Sequence, residues 1–199
     1  MHIITLYLDV YARSIYFRDM VDRSDNVIGA LALGLSDAML REAQAQAPEL
    51  GPAAAALALL GHDPGMTIER LRRSLGLSHP GTVRLVDRLV DDGLVIRTPS
   101  VKDRRTVALQ LTAAGRVTCR AVIASRDHAV TQALTVLTVE ERKTFGILAE
   151  KVLRGFVTDL DHAYAVCRLC DYEACIGCPV DAELTCRDEE GAQGRERSV

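Results

Sequence analysis

LSHPGTVRLVDRLVDDGLVIR, residues 77–97, decides the fold. Ser78 is a helix cap, and Pro80 follows in the first turn, where a missing N–H does no harm. Val83, Leu85, Val86, Leu89 and Val90 then recur at helical spacing, and Gly93 ends the run. Leu94–Thr98 and Thr106–Leu111 alternate and are rich in β-branched residues, so they are expected as strands. They flank a charged tip, Pro99-Ser-Val-Lys-Asp-Arg104. Just upstream, Thr67 caps a short amphipathic helix, Ile68–Leu75, and Gly76 stops it. Helix, glycine turn, helix and a ribbon with a basic tip make a winged helix–turn–helix, the DNA-binding module expected over residues 51–115.

The second helix of such a turn enters the major groove N-terminus first. Ser78, His79, Gly81 and Thr82 occupy that end, with Arg84 and Arg88 on the next turns. Arg84 and His79 can donate to base edges, and an arginine bidentate to guanine is the commonest specific contact. Ser78 and Thr82 suit phosphate oxygens. Lys102, Arg104 and Arg105 on the ribbon tip can reach the neighbouring backbone or minor groove. The plainer alternative makes Arg84 and Arg88 solvated charges paired with Asp87 or Asp91.

The quoted helix and the stretch DRRTVALQLTAAG, residues 103–115, resemble the recognition helix and wing of the MarR family, dimeric winged-helix regulators of transcription. The likeness is specific from about Pro52 to Gly115 and extends in helix order from Asn26 to Val166. It implies that Asp103 orients Arg105 for insertion into the minor groove. It also implies that the first and last helices pair two subunits into a homodimer on a palindromic operator in double-stranded DNA. Leu111, Thr112 and Gly115 continue the family's pattern. Pro80-Gly81 departs from the small polar residues usual there, so base preference does not carry over.

Around this module the chain reads as helical. Helices are expected over Asn26–Ala47, Pro52–Gly61 and Thr112 to about Leu137, and from Val139 to about Val166, where Thr138 and Glu141 form a capping box. Phe145, Leu148, Val152, Phe156 and Leu160 fall on one side of the last helix. Leu6, Tyr7, Val10, Tyr11 and Ile15 also recur at helical spacing; that segment is either an extra helix or a loose tail. The fold class is therefore mainly α. Residues 1–50 and 116–166 are expected to serve dimerisation, as the resemblance implies, a cysteine-rich metal-binding segment is expected over 167–190, and a polar tail, expected to be disordered, covers 191–199.

Composition agrees. The 199 residues are 48% apolar with no Trp and 4% aromatics, which favours an aliphatic helical core. The net charge of −3 hides an asymmetry. Met66–Arg105 carries nine Lys/Arg against five Asp/Glu, whereas Cys167–Val199 carries four Arg against eight Asp/Glu. A basic centre with an acidic tail fits a DNA reader bearing an appended module. No apolar run reaches the roughly 18 residues of a membrane span. Met1–Val10 lacks a basic start and a cleavage site, so a cytoplasmic chain without membrane partners is expected.

The appended module is Cys167-x2-Cys170-x4-Cys175-x2-Cys178, with Cys186 close behind and only Cys119 elsewhere. In a reducing compartment such clusters are metal ligands or redox sensors more often than disulfides. The spacing suits a tetrahedral zinc ion held by all four thiolates. It also suits an iron–sulfur cluster, with Cys186 or Cys167 as the fourth ligand. A disulfide switch is the third chemistry. Because the segment follows the last long helix, its effect is expected to run through dimer stability or subunit spacing. Cys119 reads as a core thiol, His62 as a turn residue.

Three functions compete. The first is a DNA-binding transcription regulator, of the repressor kind, answering to a small-molecule effector or to redox or metal state. The second is a protein-interaction module with a structural metal knuckle, DNA binding having been lost. The third, an enzyme, lacks a nucleophile triad, a phosphate-binding glycine loop and a paired-carboxylate site.

Overall fold

A computed structural model describes residues 22–48, 51–100 and 106–185. Residues 1–21, the wing tip 101–105, Cys186 and the 191–199 tail, for which expectations are stated above, lie outside the described residues. The chain divides into two units, Met1–Ala38 and Met39–Val199. In the first, the helix α1 (Arg23–Gln44, which continues into the second unit) exposes Val27, Ile28, Leu31 and Leu33.

The second unit is built round α2 (Ala53–His62). Its sequence AAAALALLGH is apolar on every side, and residues 53–60 are all buried. A helix without a polar face has to be enclosed. The enclosing elements are α3 (Ile68–Leu75), α4 (His79–Asp91), a hairpin and α5 (Ala113–Ala133). Leu57, Leu59, Leu60, Leu71, Leu85, Val86, Leu89, Val95 and Leu109 form the aliphatic core expected of a tryptophan-free chain.

The hairpin strands β1 (Val95–Pro99) and β2 (Val107–Leu111) are antiparallel, with Val95 opposite Leu111 and Pro99 opposite Val107. Ser100 N–H donates to the Thr106 carbonyl at 2.9 Å, closing the base of the wing. The sequence pattern missed a third member of this ribbon: Thr67 bridges Ala108 on the other edge of β2. Gly65, at φ +101, turns the chain into that bridge.

Caps at Thr67, Ser78 and Thr112 and the Thr138–Glu141 box are as expected. The last helix is not. It ends at Phe156 as α6 (Val139–Phe156), and a separate α7 (Leu160–Val166) follows. Asp159 accepts from His162 N–H at 2.9 Å, and Thr158 bonds both Asp159 and the His162 ring. These short polar side chains offer the backbone a new start in place of continuation. Val157, fully buried, anchors the break. The helix through Leu137 likewise stops at Ala133 and passes into a 3-10 turn, Leu134–Val136. Beyond α7 the cysteine segment runs to a last helical stretch, α8, residues 179–185.

Candidate functional site

The N-terminus of α4 is tightly built. Ser78 Oγ accepts from Gly81 N–H at 3.2 Å. A side chain on Gly81 would place its Cβ 3.1 Å from that oxygen, so the cap leaves little room for one. Ser78, His79, Arg84 and Arg88 are exposed along α4. Thr82 is not: it is fully buried, and its hydroxyl donates to the Ser78 carbonyl at 3.1 Å. Its expected role as a phosphate contact is therefore corrected to locking the first turn of the helix.

Asp87, one of the two acids that the plainer alternative pairs with Arg84 or Arg88, accepts from Arg97 of β1 at 2.6 Å. That pair joins the recognition helix to the hairpin, and Arg84 forms no ion pair among the described residues. Lys102, Asp103, Arg104 and Arg105 fall outside the described residues, so their parts stay expectations.

The thiol segment lies against the same head. α7 packs on α3. Asp161 reaches Arg70 at 3.5 Å and Arg73 at 3.4 Å, and Tyr164 donates to Asp63 at 3.1 Å. Tyr172 stacks flat on His62, with ring centroids 3.2 Å apart at 10°. His62 is thus the last residue of α2 and a stacking platform, not a turn residue. Burial holds its imidazole below the ordinary pKa, opposed by Asp63 and Asp181. Asp161, Tyr164 and Tyr172 did not stand out in the sequence, because their partners His62, Asp63, Arg70 and Arg73 are distant in the chain.

The five described cysteines are free thiols. Cys167, Cys170 and Cys178 pack in one cluster with Val157, Ala163 and Val180. The neighbouring Cys170 thiol, with burial, raises Cys167 far above the usual thiol range, and Cys167 draws Cys170 down to about 7. Burial and the neighbouring Cys178 thiol push Cys175 up to about 11. Among the described residues, no three His, Cys, Asp or Glu side chains converge as a group that could hold an ion. Cys119 packs at the edge of the core with its Sγ against Gly61, and burial raises its pKa. It borders a cavity of about 510 Å³ between α2, α5 and Cys170–Glu173, lined also by His62, Arg116 and Arg120.

Element order, ribbon and exposed recognition helix define a winged helix–turn–helix of the MarR-like kind. Residues 50–106 match the family model MarR_2, described as MarR family. The chain is 30% identical over 86 residues to the uncharacterized HTH-type transcriptional regulator YwhA of Bacillus subtilis, covering 43% of this chain and 62% of that protein. It is 27% identical over 103 residues to the HTH-type transcriptional repressor MdtR of the same organism, covering 52% and 66%. These matches thus span about two thirds or less of the relatives' own lengths. The crystal structure of wild-type MarR in its apo form from E. coli superposes with a TM-score of 0.51 at 25% identity, covering 63% of this chain and 96% of that one. No helix among the described residues is long and apolar enough to cross a membrane.

Proposed function

We infer that this protein is a MarR-family transcription regulator, of the repressor kind, that reads a palindromic DNA operator as a homodimer. The observation that carries the reading is the exposed N-terminal half of α4, where Ser78, His79, Arg84 and Arg88 face solvent on a helix whose other side is core. Asp87 is committed to Arg97, which leaves Arg84 available to a base edge. The wing, carrying Lys102, Asp103, Arg104 and Arg105, adds backbone and minor-groove contacts. Dimerisation falls to α6, which buries none of its residues in the chain and exposes Ile147, Leu148, Val152 and Phe156. A second recognition helix related by a two-fold axis matches a palindromic site.

The response comes from the metal or redox state of the thiol segment, or from a small-molecule effector in the cavity beside Cys119. Selection from a random DNA pool, followed by fluorescence anisotropy, tests the reading. A palindromic consensus bound by two chains, with an affinity that falls steeply as salt rises, is expected. Failure to enrich any sequence would favour the protein-interaction module instead.

A further inference from the structure

We propose that Cys167, Cys170, Cys175 and Cys178 close on one divalent cation of the zinc class, and that this centre braces the first helix of the helix–turn–helix. The donor set fits. Four free thiols lie within twelve residues, and Cys167, Cys170 and Cys178 already share one packed cluster, from which loading would draw all four together. Each Cys-x2-Cys pair spans a tight turn at the end of a helix. Cys167 closes α7, and Cys170 N–H donates to its carbonyl at 2.8 Å. Gly177, at φ +70, gives the second turn its left-handed residue, and the Cys178 carbonyl accepts from Ala182 N–H at the start of α8. Two such turns joined by four residues can supply a tetrahedral thiolate shell.

A second observation points the same way. Arg126 lies within electrostatic reach of Cys170. Its buried Nε–H has no acceptor. Four thiolates round a doubly charged cation leave a net negative site. An unpartnered guanidinium N–H in this region is an outer-shell donor that such a site can use once the thiolates are drawn together.

What the cation would hold in place is also visible. The residues between and before the ligands are anchored on the DNA-reading head. Leu169 enters the cluster of Ala54, Ala55, Ala58 and Val122. Tyr172 lies on His62, and α7 grips α3 through Asp161 and Arg70, Arg73. Closing the two thiol pairs on one ion ties these anchors together. The route expected from the sequence, through dimer stability or subunit spacing, is thereby joined by a direct contact with the helix that carries the recognition turn.

The consequence for DNA affinity rests on the regulator reading above; the test does not. The full chain, reduced under anaerobic conditions, is titrated with zinc and, as a coloured probe, with cobalt(II). Uptake of one equivalent is expected, with the intense charge-transfer and visible absorption of a tetrahedral thiolate cobalt site. Cys170→Ser with Cys175→Ser should take up none. Hydrogen exchange of residues 68–75 should slow about tenfold in the zinc-loaded wild type relative to the chelator-stripped wild type. Comparing two forms of one chain keeps this readout valid if the double variant folds poorly. Tyr172→Leu should keep the metal and lose the slowing. No uptake by the wild type, a full equivalent in the double variant, or iron with inorganic sulfide in place of zinc would overturn the site. Zinc uptake with unchanged exchange in α3 would overturn the brace. None of these readouts involves DNA, so a chain that loads zinc but binds no operator would refute only the regulator reading.

Discussion

Arg84 and Thr82 sit two residues apart on one helix and carry opposite expectations. Arg84 is exposed and forms no ion pair among the described residues, so Arg84→Ala should cost about 1–3 kcal/mol on the cognate operator and little on scrambled DNA. Anisotropy titrations on the two duplexes measure the difference; equal losses would reduce Arg84 to a phosphate contact. Thr82→Val keeps the buried shape and removes only a hydroxyl already bonded within the helix. It should leave the salt dependence of binding unchanged, whereas loss of a phosphate contact would flatten the slope by about one unit. Gly115 marks a third kind of position. A Cβ there would stand 2.0 Å from the Leu94 carbonyl oxygen, which already accepts from Thr112 N–H. The backbone cannot yield without breaking that bond. Gly115→Ala should cost about 1–3 kcal/mol or more in urea unfolding.

Among the elements, α7 and the thiol segment depend on one stacked pair. The His62 pKa is lowered from its ordinary 6.5, mainly by burial. A base with a depressed folded pKa favours the docked state while it is neutral. The Tyr172–His62 contribution is therefore complete above pH 6.5 and is lost as the pH falls through the lower folded value. Exchange of the amides of 170–174 should quicken between about pH 7.5 and about pH 5.5, after correction for intrinsic rates. His62→Phe, which stacks without titrating, should remove most of that change. A variant with the same pH response as the wild type would place the titrating group elsewhere.

For the whole molecule the open question is what covers α6. Leu148, Val152 and Phe156 recur at four-residue spacing and are each more than half exposed. A homodimer buries such a stripe. Leu148→Glu with Val152→Glu should give a monomer by sedimentation, folded by circular dichroism, with operator affinity reduced because two half-sites are no longer read together. A dimer that survives both charges would move the subunit contact away from α6.

How much of this was legible in the sequence follows from the range of each force. Caps at Thr67, Ser78 and Thr112, the Thr138–Glu141 box, the stop at Gly76 and the strand alternation are local, acting within about four residues. They determined the winged helix–turn–helix and the exposed arginines of α4, and the thiol spacing marked the appended segment. The break at Thr158-Asp159 was also local, but a continuing apolar repeat hid it. Only the tertiary structure decided that Thr82 faces inward, that Asp87 pairs with Arg97 rather than a neighbour on α4, and that Thr67 joins the ribbon through Ala108. It alone placed Tyr172 on His62, more than a hundred residues away, and Asp161 between Arg70 and Arg73. Those contacts depend on how buried faces meet after chain reversal, and helical periodicity says which face is apolar without saying what it will meet.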